Sequence, residues 1–243
     1  MNEAPRSTAS ERPLVLVVDF LRFDSRPPLT RLLAGGNRFE LNSVDPVSDL
    51  AGGLPVHDLP TLAAQYVGSL AARPQVVVGF CNAVTLAGEI ALQLGAEVPC
   101  VAVNPTWTTA DVVQQEFATL RKAAGGSGSA ESAKALPDRQ RMAELLTADL
   151  MAGLAAAGAD PEEAEETVAL LLPRQLAWLD FLRWSAEHEQ RTAQATTVVS
   201  DEPVDRPAWW RGPWAPIEAP PMPADATGCS GFVEQVETAI AAC

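Results

Sequence analysis

The stretch Gly79-Phe80-Cys81-Asn82-Ala83 places a cysteine between small residues, directly after one apolar run and directly before another. A thiol is a strong nucleophile, and the free N–H groups at a helix N-terminus favour its anionic form. The alternative is that Cys81 only fills a tight turn, because free cysteines are among the most buried residues. A catalytic thiol is usually assisted by a base, and the chain has only two histidines, His57 and His188.

The residues on either side of Cys81 predict a strand followed by a helix. Gln75–Phe80 is an apolar, β-branched run typical of a strand buried on both faces of a parallel sheet. Asn82–Leu94 carries apolar residues at helical spacing. A nucleophile at such a turn has the pattern G-x-S-x-G. Here Gly79 is the first small residue, Ala83 is the second, and Cys81 holds the nucleophile position.

The rest of the chain predicts alternating strands and helices around this turn. The other predicted strands are Pro13–Phe20, Arg38–Val44, Val98–Val103 and Ala195–Ser200. The other predicted helices are Leu29–Leu33, Leu59–Ala72, Thr109–Ala123, Pro137–Ala157, Asp160–Ala186 and Val233–Ala242. Residues 106–189 therefore form a helical insertion before the last predicted strand. The Pro- and Trp-rich segment Pro203–Pro223 is predicted to be a loop.

Composition limits the function. Of 243 residues, 17 are Lys or Arg and 31 are Asp or Glu, giving a formal charge of −14. This acid excess argues against nucleic acid as a partner.

Two histidines and the spacing of the four cysteines match no metal site, so we expect no metal and no cofactor. The chain has no apolar run long enough to cross a membrane and no secretory signal pattern, so we expect a cytoplasmic protein without a membrane partner. We expect residues 1–12 to be a disordered tail and residues 13–243 to form one domain.

From Pro13 onwards the chain resembles the thioesterase family that serves polyketide and nonribosomal-peptide assembly lines, within the α/β-hydrolase superfamily. The resemblance rests on PLVLVVDF at the first strand, GFCNAVTLAGEIALQLG at the nucleophile turn, Trp107–Glu189 as a lid, and ATGCSGFVEQVETAIAAC at the last loop and helix. It implies an α/β-hydrolase fold with a mostly parallel central sheet, helices on both faces, and a helical lid at about 107–190. It also implies an acyl or peptidyl thioester as substrate, presented by a carrier protein or as a small acyl thioester.

The resemblance assigns roles to individual residues. Cys81 stands at the nucleophile position, where the family usually has serine. Asp201, after the last predicted strand, stands at the acid position, and Asn104, after the preceding strand, is the alternative acid position. The position of the catalytic histidine falls on Cys229. The expected triad is therefore incomplete, because its base is missing.

Two further features complete the predicted site. The backbone N–H groups of Asn82 and of the loop near Phe20 would form the oxyanion hole. We expect His57 to cap or pack near the helix that follows it, and His188 to face solvent.

Without a base, water would release an acyl group from Cys81 slowly. The sequence thus predicts acyl transfer or hydrolysis through Cys81. The alternative is a catalytically degenerate homologue that binds an acyl or polyketide intermediate, or catalyses a rearrangement without a triad.

Overall fold

The computed structural model describes residues 12–20, 27–126, 138–188, 196–207, 213–222 and 230–243. Within these residues one six-stranded sheet has the order β2-β1-β3-β4-β5-β6. Its strands are β1 (Leu14–Val18), β2 (Glu40–Val44), β3 (Val76–Phe80), β4 (Cys100–Val103), β5 (Thr196–Ser200) and β6 (Trp214–Glu218). All five neighbouring pairs are parallel. The predicted α/β class with a mostly parallel sheet is confirmed.

Helices cover both faces of the sheet. They are α1 (Leu29–Ala34), α2 (Pro46–Ala51), α3 (Leu59–Ser69), α4 (Val84–Leu94), α5 (Ala110–Ala123), α6 (Arg139–Ala156), α7 (Pro161–Glu187) and α8 (Ser230–Ala241). Helices α1 and α8 share one apolar core with one face of the strands. Helices α2, α3, α4 and α7 share a second core with the opposite face. Continuous Val-rich strands form because both of their faces are buried in this way.

Three helices, α5 to α7, connect β4 to β5 and are called the helical insertion below. Each begins at a capping side chain that accepts a hydrogen bond from a backbone N–H three residues on, at Thr109, Asp138 and Asp160. The three helices share a small core that includes Phe117, Met142 and Leu179. The later half of α7 also joins the main core beside α2, α3 and α4. The helical insertion is therefore anchored on the sheet domain rather than tethered to it by loops alone.

Two elements differ from the sequence prediction. Strand β6 lies within the segment predicted to be a loop. It pairs only with β5 and forms one edge of the sheet, where Pro216 is tolerated because an edge strand has unpaired N–H positions. Helix α2 was also missed. Its six residues are too few for a periodic pattern, but Asp45 caps it by accepting from the Ser48 N–H, and Pro46 occupies its first turn. No helix among the described residues is long and apolar enough to span a membrane.

Candidate active site

The strand register brings the predicted site segments to one edge of the sheet. Phe80 at the end of β3 pairs with Val103 near the end of β4, and Val103 pairs with Val199 in β5. The residues that follow these strands are Cys81, Asn104 and Asp201. The carboxyl edge of a parallel sheet is where α/β proteins commonly hold their binding sites. The structure thus places the predicted nucleophile and both predicted acid positions along the same edge.

Cys81 occupies a strained turn. The backbone passes from β3 into a short 3₁₀ turn, Cys81–Ala83, and then directly into α4. The φ angle of Cys81 is 53°, in the left-handed region that costs a residue with a side chain about 1–2 kcal/mol. Such strain persists only where the surrounding structure fixes the backbone, and it is concentrated at functional sites. This is the conformation expected of a nucleophile held at a strand–helix turn.

Gly79 explains why the turn can be this tight. A Cβ atom built on Gly79 would lie 2.6 Å from the Cβ of Ala87 and 2.7 Å from the Cα of Val84. Helix α4 therefore approaches the backbone of β3 more closely than any side chain at this position would allow. The glycine of the sequence pattern has a steric role, and the small residue Ala83 is fully buried behind it.

The Cys81 thiol, which belongs to a partly exposed residue, has two polar neighbours. Its Sγ lies 3.3 Å from the Oδ1 of Asn82 and 3.3 Å from the Oγ1 of Thr106. A thiol has a single hydrogen, so it can donate to only one of these oxygens at a time. The Asn82 amide in turn donates to the Thr108 hydroxyl at 3.0 Å. Sequence reasoning missed Thr106 and Thr108, although both lie just after the predicted strand that ends at Val103.

The two predicted acid positions differ in their contacts. Asn104 also has a left-handed backbone, with a φ of 43°, and its Oδ1 accepts a hydrogen bond from the Asp201 N–H at 3.1 Å. Asn104 thus joins the ends of β4 and β5. The Oδ2 of Asp201 accepts from the Met222 N–H at 2.8 Å. The carboxylate therefore points toward the segment after β6, which leads on to Cys229. Cys229 itself lies outside the described residues, as do residues 1–11 of the predicted tail.

Neither histidine is bonded to Cys81. His188 was predicted to face solvent, and this is wrong: its side chain is 13% exposed and its Nε2 lies 3.1 Å from the Oε2 of Glu89. Burying the Glu89 carboxylate of α4 without a partner would be costly, and His188 at the end of α7 is its partner. Hydrogen bonding from His188 lowers the pKa of Glu89 despite its burial. Glu89 lies eight residues beyond Cys81, or about 12 Å along the helical rise.

His57 lies on the surface near the start of α3. Its side chain is 84% exposed, and its Nε2 is 3.8 Å from the Oδ2 of Asp58. Asp58 caps α3 by accepting a hydrogen bond from the Thr61 N–H at 2.7 Å, and hydrogen bonding to Thr61 lowers the Asp58 pKa. Since both histidines of the chain have other surroundings, no histidine acts as a base on Cys81 in this structure.

The predicted oxyanion loop begins with a buried carboxylate whose contacts the sequence did not predict. Asp19, directly after β1, is 4% exposed, and its Oδ2 accepts from the Leu29 N–H at 2.7 Å. Its Oδ1 accepts from the Phe20 N–H at 2.7 Å. The Phe20 N–H is therefore already engaged, and the structure does not offer it as an oxyanion donor. The Phe20 ring packs edge-on against Trp178 and Phe181 of α7, with ring centroids 5.1 and 5.2 Å away.

Comparisons with known proteins agree with the fold. No protein-family model matches the chain, and no curated protein matches it. Among solved structures, the NocB thioesterase domain from the nocardicin cluster aligns with a TM-score of 0.50 and 16% identity, covering 96% of this chain and 95% of that one. The RedJ thioesterase from the prodiginine pathway of Streptomyces coelicolor aligns with a TM-score of 0.50 and 13% identity, covering 98% and 90%. At these identities the likeness shows the fold alone: the chain has the α/β-hydrolase fold that such thioesterases share.

Proposed function

We propose that the protein is a cytoplasmic thioesterase-like enzyme of natural-product biosynthesis, and that Cys81 accepts an acyl or peptidyl group from a thioester. The observation that carries this proposal is the partly exposed thiol held at a left-handed strand–helix turn. A residue that merely filled the turn would be expected to be glycine, which adopts this backbone without strain, so the cysteine is kept at a cost for its side chain. The fold likeness to the NocB and RedJ thioesterases makes a thioester the first substrate class to test.

The proposed acylation step exchanges one thioester for another. The Cys81 sulfur attacks the thioester carbonyl carbon, the bond from that carbon to the leaving sulfur breaks, and the Cys81 proton ends on the released thiol. The step is close to balanced in energy because a thioester is both consumed and formed. Since a thiol is more nucleophilic and more acidic than a serine hydroxyl, it depends less on a neighbouring base.

Three groups of two neighbouring residues have proposed roles in this step. The oxygens of Thr106 and Asn82, each 3.3 Å from Sγ, orient the thiol before attack. The backbone N–H of Asn82 is the proposed oxyanion donor, because the first N–H groups of a helix have no partner within the helix. The helical insertion is the proposed lid, and an acyl or peptidyl carrier protein, or a small acyl thioester, is the proposed partner.

The nucleophile that releases the acyl group from Cys81 decides between acyl transfer and hydrolysis. Water is a weak nucleophile that needs a base, and both histidines are engaged elsewhere, His188 with Glu89 and His57 beside Asp58. We therefore propose that the acylated Cys81 is released faster by an amine or thiol acceptor than by water. The same observation favours a second candidate: a catalytically degenerate homologue that binds an acyl or polyketide intermediate, or rearranges it without covalent attachment.

A pre-steady-state experiment tests the first candidate. The protein is mixed with an acyl N-acetylcysteamine thioester, and the released thiol is quantified by chromatography over time. We expect a burst of about one equivalent followed by a slow phase, since acylation outpaces deacylation. The matched control is Cys243→Ala, which removes an exposed thiol and should keep the burst. An equal burst in Cys81→Ala would overturn the proposal.

Two variants test the missing base and separate the two candidate functions. If Cys229 stands at the position of the catalytic histidine, Cys229→His should raise the rate of the slow phase by supplying the missing base. An unchanged slow phase would count against that assignment. Turnover of an acyl intermediate that is the same in the wild type and in Cys81→Ala would favour chemistry without a covalent step, and thus the second candidate.

A further inference from the structure

A cavity on the flank of α7 is lined by residues that include neither Cys81 nor its neighbours Asn82 and Thr106. It has a volume of about 210 Å³ and is bounded by α2, the segment between α2 and α3, the start of α6, and the later half of α7. Leu50, Leu54 and Trp184 contribute apolar wall. Its polar lining comes from Arg139, Asp180, Arg183 and His57.

The charges in this cavity are unequal. The Asp180 side chain is 8% exposed, and its Oδ2 accepts from the Nε of Arg139 at 2.7 Å. Its Oδ1 accepts from the Nη2 of Arg183 at 3.3 Å. Two guanidinium groups therefore share one carboxylate, which leaves a local excess of one positive charge.

Both arginines retain hydrogen-bonding capacity toward the cavity. A guanidinium carries five N–H donors in a fixed planar arrangement that matches a carboxylate. Arg139 gives Asp180 only its Nε–H, and Arg183 gives it a single terminal nitrogen. The Arg139 side chain is 60% exposed, so its terminal nitrogens can donate to a ligand while its Nε stays bonded to Asp180.

The size of the cavity limits the occupant. An engineered protein cavity of about 150 Å³ is known to hold benzene. A space of about 210 Å³ therefore suits one ring, or a short branched alkyl group, with a carboxylate arm. Trp184 offers an aromatic wall for such a group.

We propose that this cavity binds a compact amphipathic carboxylate, with its apolar group against Leu54 and Trp184 and its carboxylate on Arg139 and Arg183. The lining residues belong to α2, α6 and α7 and to the segment after α2, whereas the neighbours of Cys81 follow β4. The proposal is therefore independent of acyl transfer at Cys81.

Titration calorimetry with phenylacetate tests the site, and the neutral phenylacetamide is the matched ligand. We expect one site per chain, with binding of the amide weaker by about tenfold or more because it lacks the charge. Arg139→Gln should weaken phenylacetate binding to a similar extent. The control Arg141→Gln removes an equally exposed arginine of α6 that pairs with Glu144, and should leave the affinity within about twofold.

Two further variants locate the bound ligand. Leu54→Phe fills the cavity without changing its charge and should abolish binding. Cys81→Ala should bind phenylacetate like the wild type. The proposal is overturned if phenylacetate does not bind at millimolar concentration, or if the amide binds equally well. It is also overturned if Arg139→Gln and Arg141→Gln behave alike, or if Cys81→Ala rather than Leu54→Phe removes binding.

Discussion

Replacing Gly79 with alanine tests the close approach that creates the nucleophile turn. The new Cβ would stand 2.7 Å from the Cα of Val84 and 2.6 Å from the Cβ of Ala87, where carbon atoms normally keep roughly 3.5 Å. The Cα of Val84 is a backbone atom in the first residue of α4, so no side-chain rotation relieves the clash. Helix α4 must shift by most of an ångström, and overpacking of this kind costs about 1–3 kcal/mol.

A matched control separates this clash from the general effect of a Gly→Ala change. Gly68 lies in α3, where an added Cβ meets no atom within 4 Å. Gly68→Ala should raise the free energy of unfolding by about 0.4–1 kcal/mol, because alanine has fewer unfolded conformations to lose. Urea unfolding of the two variants and the wild type measures the difference. If Gly79→Ala is as stable as Gly68→Ala, the inferred packing of α4 on β3 is wrong.

Three other predictions concern the same turn and its surroundings. The free energy of unfolding of Cys81→Gly should exceed that of Cys81→Ala by about 1 kcal/mol, because glycine adopts a φ of 53° without strain. Urea unfolding measures the difference, and equal stabilities would contradict the left-handed backbone. Thr106→Val should slow acylation about two- to tenfold by removing a hydrogen bond to the thiol, measured from the burst phase; an unchanged rate would exclude that role. The lowered pKa of Glu89 adds stability above its unfolded value of 4.5, and this stability is lost as the pH falls through the folded value. Urea unfolding from about pH 6 to about pH 3 should therefore show a smaller stability loss in Glu89→Gln than in the wild type, and parallel curves would refute the pairing with His188.

The sheet and the nucleophile turn could be predicted from the sequence because their signals are local. Runs such as Leu14–Val18 and Val76–Phe80 are apolar throughout, as strands buried on both faces must be. Asp160 followed by Pro161 predicts the start of α7, because helix capping involves only neighbouring residues. The edge strand β6 was missed because its two partly buried residues, Trp214 and Ile217, do not alternate regularly and Pro216 argues against a strand.

The contacts of the site could not be read from the sequence because they join distant segments. His188 and Glu89 are 99 residues apart, and the tertiary fold brings the end of α7 beside α4. The polar end of a helix predicts exposure, but a buried carboxylate on the neighbouring helix draws His188 inward. In the same way, Asp19 holds the N–H groups of Phe20 and Leu29, a contact that only the path of the chain after β1 determines.

The central claim is that Cys81 becomes acylated. The most direct measurement is the intact mass of the protein after incubation with an acyl N-acetylcysteamine thioester, followed by peptide mapping of any adduct. The account predicts one acyl group per chain, located on Cys81, and none on Cys81→Ala. An adduct spread over the other cysteines, or no adduct on Cys81 while substrate is consumed, would contradict it.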